Sequence, residues 1–213
     1  HWLVDGSGHV RVVEPDAASR EAAQRQATYR DLPWLSEEQL LNTPGLQAVA
    51  VETAVRDLVP TAARCVAAGV HLHLDKPAGA SLPAIKQLLD EATRKKLTIQ
   101  MGYMFRNNPA FQFCFRAVRE GWLGDVFEMH AVISKKEPAN QRRRLAEFSG
   151  GSMFELGCHV IDATVAVMGK PERVTPFLRR TRPDLDNLGD NTLAVLEYPK
   201  ATCTVRSSLV EFE

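Results

Sequence analysis

The sequence predicts a two-domain α/β chain: a doubly wound parallel sheet over residues 1–106, then an α+β domain with an open, mostly antiparallel sheet over residues 107–213. Two observations carry this. In the first part, short apolar strand patterns alternate with capped helical patterns across short connections, the order of parallel α/β units. In the second part the strand patterns lengthen and alternate apolar with polar residues, as in an antiparallel sheet covered on one face.

The elements follow in order. "HVRVVEP" (His9 to Pro15) is valine-rich and alternating and predicts a strand. "DAASREAAQRQA" (Asp16 to Ala27) opens with an aspartate cap and predicts a helix. "SEEQLLN" (Ser36 to Asn42) has a serine cap and first-turn glutamates that suit the helix dipole. "LQAVAVET" (Leu46 to Thr53) is continuously apolar, as in a parallel strand buried on both faces. "LVPTAARCVAAG" (Leu58 to Gly69) predicts a helix stopped by glycine. The next strand is "VHLHLDKP" (Val70 to Pro77), and a serine-capped helix follows from Ser81 to Lys96. "LTIQMGYM" (Leu97 to Met104) closes the series as a strand.

Beyond the boundary near Arg106, a helix is predicted from Pro109 to about Glu120 and a long alternating strand from Val126 to Lys136. The run Arg142, Arg143, Arg144 reads as a solvated loop, with a lesser reading as an aid to binding an anionic substrate. Gly150 and Gly151 precede one mixed helix, and the C-terminal stretch reads as two strands turning at Pro199–Lys200. Phe111, Phe113 and Phe115 lie in a helix and read as core or interface residues.

Composition narrows the function classes. The 26 basic side chains equal the 26 acidic ones, so no electrostatic case exists for nucleic acid or an anionic membrane. No apolar run approaches the roughly 20 residues of a membrane span. Cys65, Cys114, Cys158 and Cys203 are widely spaced with no C-x-x-C pair, which supports neither a zinc site nor a redox motif. They read as small apolar residues in a reducing compartment. His71 and His73 could chelate by spacing, but no acid or cysteine partner is evident, so no metal is expected.

Ligands of open parallel sheets bind beyond the carboxyl ends of the strands. Three such ends here are polar: Glu14, Thr53 and Asp75–Lys76. An acid ending the second strand of a dinucleotide-binding unit accepts hydrogen bonds from the adenosine ribose, and a 2′-phosphate there would meet like charge. Glu14 in that place favours NAD over NADP. A dinucleotide fold opens with strand, G-x-G-x-x-G, helix. The early glycines, Gly6 and Gly8, precede a strand and read as a turn. The expectation is therefore a Rossmann-like domain lacking its first strand and Gly-rich loop.

"HLHLDKP" resembles the strand ending in Glu-Lys-Pro that marks the Gfo/Idh/MocA oxidoreductases, the family of glucose–fructose oxidoreductase and inositol 2-dehydrogenase. "GYMFRNNPAF" (Gly102 to Phe111) resembles the segment that links the family's two domains. "GGSMFELGCHVID" (Gly150 to Asp162) resembles its Gly-Gly…Asp-x-Gly-x-His-x-x-Asp signature. Asp75 stands for the usual glutamate and Glu155 for the usual aspartate; each keeps the charge and changes the reach by one methylene.

Read without the family, Glu155, His159 and Asp162 fall on one helical face. A carboxylate beside an imidazole can orient it and stabilise its protonated form, which is what a general base for an alcohol needs. The resemblance implies that Lys76, His159 and Glu155 are catalytic, and that Glu14, Thr53, Asp75, Lys76 and Pro77 contact NAD. It implies hydride transfer at a secondary hydroxyl of a sugar, inositol or related polyol. The family also includes NAD-dependent glycoside hydrolases, and its scaffold admits a non-catalytic dinucleotide-binding regulator. Further implications are a cis bond before Pro77, cytoplasmic location, a C-terminal sheet continuing past this chain, and a homo-oligomer (dimer or tetramer) for the full-length protein.

Overall fold

Three short apolar strands build the first sheet: β1 (Ala48–Val51), β2 (His71–Leu74) and β3 (Ile99–Met101). They are parallel, in the order β1-β2-β3, with Val49 beside Leu72 and Leu72 beside Ile99. This is a computed structural model; it describes residues 10–210. The turn expected at Gly6 and Gly8 lies outside the described residues. The chain divides into two compact units, His1–Gly102 and Tyr103–Glu213.

In the first unit, Asp16 caps α1 (Ala17–Gln24) by accepting from the Ser19 amide, and α2 (Ala27–Arg30) follows. Ser36 and Gln39 form a reciprocal capping box on α3 (Glu37–Leu41), satisfying two amides that a helix start leaves open. The longer helix α4 (Val55–Ala67) packs on β1 and β2, and α5 (Leu82–Arg94) packs against α4. Leu58, Val66, Leu72, Leu74 and Leu88 form the centre of the core.

One predicted strand is cut short. Of the described part of that stretch, Val10 to Pro15, only Val12 makes a β contact, a single parallel bridge to Trp34. Its amide donates to the Pro33 carbonyl and its carbonyl accepts from the Leu35 amide. Pro15 has no amide with which to extend the ladder. Val12 is still buried at 4% exposure, so the apolar signal marked core correctly but over-stated the pairing.

The second unit is built on a four-stranded sheet in the order β4-β7-β6-β5, from β4 (Glu128–Ser134), β5 (Arg173–Arg179), β6 (Asn191–Glu197) and β7 (Thr202–Ser208). Only the β4–β7 pair is parallel; the others are antiparallel. Val160 packs on Ala194, Leu196, Cys203 and Val205 in the core. Helix α6 (Pro109–Arg119) starts at Asn108, whose side chain accepts from the Ala110 amide. Its phenylalanines divide as the helical period requires. Phe115 is buried, Phe111 stacks on Phe105, and Phe113 is 62% exposed beside Trp122.

Two expectations are overturned here. The arginine run is not a loop but part of α7 (Ala139–Leu145), and Arg142 is only 4% exposed. Arg142 Nε and Nη2 donate to Asp186 at 2.8 and 3.0 Å, and Nη2 donates to Asp190 at 2.9 Å. The Thr181 amide and hydroxyl complete Asp190 at 2.8 and 2.9 Å. Buried charge survives only when paired in this way. The second correction concerns the mixed helix, which is two: α8 (Gly151–Glu155) and α9 (Cys158–Met168). They part at Leu156–Gly157, where the Gly157 amide reaches back to the Ser152 carbonyl at 2.9 Å. No helix among the described residues is long and apolar enough to cross a membrane.

Candidate active site

In the first unit, the carboxyl edge of the parallel sheet gathers Glu52 and Thr53 after β1, Asp75 and Lys76 after β2, and Gly102 after β3. Backbone hydrogen bonds carry the ladder one step past the strands. The Asp75 amide donates to Val51 at 2.9 Å and the Gly102 amide to Leu74 at 2.8 Å. The Lys76–Pro77 bond is cis, as the resemblance implied, and Pro77 is buried. Gly102 is tightly hemmed by Asp75: a Cβ there would lie 3.0 Å from Asp75 Oδ1 and 3.3 Å from its Cα. Burial raises the Glu52 carboxyl above its ordinary range, and the nearby Asp75 charge adds to the rise. Glu52 had no sequence signal beyond being an acid after an apolar strand.

Glu14 is half-buried and locally tied. Its Oε1 accepts from the Asp16 amide at 2.9 Å, and its carbonyl accepts from Arg20 Nε and Nη2 at 3.0 and 2.6 Å. An arginine thus accompanies the acid. His71 Nδ1 accepts from the Thr98 amide at 2.9 Å, a structural use of that ring.

In the second unit, His159 lies on α9 at 6% exposure. Two rings meet it edge-on: Tyr103 at 6.3 Å and 88°, and Phe105 at 5.9 Å and 64°. Burial raises the Tyr103 phenol above its usual range. Nδ1 of His159 and Oε2 of Glu155 are both sealed from solvent. Lys135, just past β4, pairs with Glu137 at 2.5 Å and lies 4.0 Å from Glu155 Oε2. The two Asp162 oxygens accept from Arg106 Nε and Nη2 at 2.8 and 2.5 Å.

Two glycines make the α8 start possible. Gly150 and Gly151 have φ of 91° and 50°, and a Cβ on Gly151 would lie 2.1 Å from the Gly189 carbonyl oxygen. The Ser152 amide donates to that same oxygen at 3.0 Å. Ser152 Oγ bonds Thr192 Oγ1 and the Ser207 carbonyl, and Ser207 Oγ donates back to the Ser152 carbonyl. These buried bonds bolt the helix that bears Glu155 to β6 and β7.

Two family models match in succession. Residues 4–103 match the oxidoreductase family with an NAD-binding Rossmann fold, and residues 111–212 match the GFO/IDH/MocA C-terminal domain. The chain belongs to the Gfo/Idh/MocA oxidoreductase family. It is 26% identical over 216 residues to trans-1,2-dihydrobenzene-1,2-diol dehydrogenase of Sus scrofa, covering 97% of this chain and 63% of that protein. It is 26% identical over 165 residues to the scyllo-inositol 2-dehydrogenase (NADP(+)) IolW of Bacillus subtilis, covering 76% of this chain and 46% of that protein. The WlbA dehydrogenase of Bordetella pertussis, solved with NADH and UDP-GlcNAcA, has a TM-score of 0.79 at 16% identity, over 95% of this chain and 59% of that chain. That last likeness is one of fold. The chain spans less than two thirds of the length of these curated relatives.

The residues at the first sheet's carboxyl edge fit a nicotinamide dinucleotide. A ribose diol needs both donors and acceptors, and Thr53, Asp75 and Lys76 offer a hydroxyl, a carboxylate and an ammonium within two adjacent strand ends. The sequence motifs singled out Lys76, Glu155 and His159 as candidates; they gave no role to Tyr103, Phe105, Arg106 or Lys135.

Proposed function

We propose that this protein is an NAD-dependent dehydrogenase acting on a secondary hydroxyl of a sugar, inositol or related polyol. The observation that carries the reading is His159, a buried imidazole walled by Tyr103 and Phe105, in a chain that also places Lys76 at the carboxyl edge of an NAD-binding sheet. The names of two relatives, one acting on a vicinal diol and one on an inositol, support the substrate class.

NAD, when bound, supplies the hydride acceptor. Thr53, Asp75 and Lys76 would hold the cofactor's nicotinamide end, with Glu14 on the adenosine ribose. Lys76 donates a hydrogen bond to the reacting hydroxyl and steadies the charge that grows on its oxygen. His159 takes the proton at a ring nitrogen. Glu155 holds neighbouring substrate hydroxyls, with Lys135 fixing its carboxylate. The aromatic walls keep water from one side of the imidazole.

Lys76→Ala, His159→Ala and the double variant test this in steady-state assays over a polyol and sugar panel. Each single change should lower kcat by about 10²–10⁴-fold. The double should fall little further, since groups acting on one proton are not additive. The KM for NAD should move less than kcat. If His159→Ala retains kcat within a few-fold of the wild type, the proton-transfer role fails.

A further inference from the structure

We propose that Arg106 and Asp162 form a positioning pair that sets the walls of the His159 pocket. This rests on the reading of His159 as the proton acceptor, although its geometric part can be tested without that reading.

Residues Met104–Asn107 form a single 3-10 turn immediately after Tyr103. Within four consecutive positions, that stretch makes three contacts with α9. Tyr103 and Phe105 present ring edges to His159, and Arg106 closes a two-pronged ion pair on Asp162. Asp162 lies three residues past His159, one turn along the same helix face. The guanidinium also lies 5.9 Å from the Tyr103 ring centroid, so the same cation steadies one of the two walls. The other wall is backed by Phe111, stacked on Phe105 at 4.1 Å and 17°. The Gln112 side chain donates to the Arg106 carbonyl and ties the turn to α6.

A planar fork on a carboxylate fixes direction as well as distance, which a lysine in its place would not. The Asp162 side chain is 9% exposed and that of Arg106 57%, so the pair sits at the rim of the unit. Ion pairs that open to water add little to global stability. The contribution of this one therefore falls on the placement of Tyr103 and Phe105, and through them on the imidazole. The Asp162 hydrogen bond holds the Arg106 guanidinium above its ordinary pKa.

The test is the nuclear magnetic resonance of the His159 ring, assigned by its disappearance in His159→Gln. Ring currents from Tyr103 and Phe105 should displace that signal in the wild type. In Arg106→Ala, Asp162→Asn and Arg106→Lys the signal should move towards the position of a histidine free of ring currents, with the other histidine signals unchanged and Tm nearly so. On the best substrate, kcat should fall by about 10- to 100-fold, the scale of a misplacement of about 1 Å, with the KM for NAD little changed. A His159 signal that stays in place in both Asp162→Asn and Arg106→Lys overturns the proposal. A signal that moves while kcat holds supports the placement and instead removes His159 from proton transfer.

Discussion

Arg142→Ala should be among the most damaging single substitutions in the second unit. The side chain of Arg142 is 5% exposed, and those of its partners Asp186 and Asp190 are 6% and 0% exposed. Removing the guanidinium deletes three hydrogen bonds and leaves two buried carboxylates without the cation that binds both, Arg143 acting on Asp186 only through its charge. Breaking a buried pair in this way costs about 3–5 kcal/mol. At about 2–4 °C per kcal/mol for a chain of this size, Tm should fall by about 6–20 °C. Arg142→Lys keeps the charge but not the fork, and should fall in between.

The pH dependence gives a second readout. Burial alone would push the Asp186 carboxyl up, but the Arg142 hydrogen bond and the Leu188 amide outweigh it and hold it below its ordinary range. A depressed folded pKa contributes stability above the unfolded value, near 3.9, that is lost as pH falls through the folded one. The gap between wild type and Arg142→Ala should thus be full at neutral pH and narrow in acid. Calorimetry across that range checks it. An Arg142→Ala protein melting within about 2 °C of the wild type at neutral pH, where about 6 °C is the smallest loss expected, would refute the reasoning.

Two further predictions concern the cofactor and assembly. Glu14→Ala should lower the NAD-to-NADP ratio of kcat/KM roughly tenfold, because the like charge goes while Arg20 remains to meet a 2′-phosphate; an unchanged ratio removes Glu14 from the cofactor site. Val132, Arg206, Leu193 and Phe177 lie in one register row across the sheet, with Val132 58% and Phe177 44% exposed. A row that is apolar at three of its four positions suits a second copy of the chain, so sedimentation should show at least a dimer that Val132→Asp with Phe177→Asp dissociates. A wild type that sediments as a monomer at micromolar concentration contradicts this.

What the sequence disclosed follows the range over which each signal acts. Caps at Asp16, Ser36 and Ser81 are local, and all three make the bonds their residue types suggest. The arginine run was misread because the partners of Arg142 lie 44 and 48 residues away, and because the helical period separates Arg142 from its exposed neighbours. Strand β5 escaped notice because Pro176 interrupts its pattern; as the sheet's edge, it tolerates a residue with no amide to donate. Lys76, Glu155 and His159 were singled out as candidates because they lie in short motifs. Arg106 and Asp162 are 56 residues apart, and only the fold discloses that each holds the other.

The reaction itself is tested most directly by following the carbinol hydrogen. The protein is incubated with NAD and the best substrate of the panel, deuterated at the carbon that bears the reacting hydroxyl, and the recovered cofactor is analysed by mass spectrometry and proton resonance. Deuterium should accumulate on the nicotinamide ring in step with the carbonyl product, and Lys76→Ala and His159→Ala should slow its arrival together. Substrate turnover with the label retained in the sugar, and the cofactor left oxidised, would contradict a dehydrogenase and point to transient oxidation within a hydrolytic cycle.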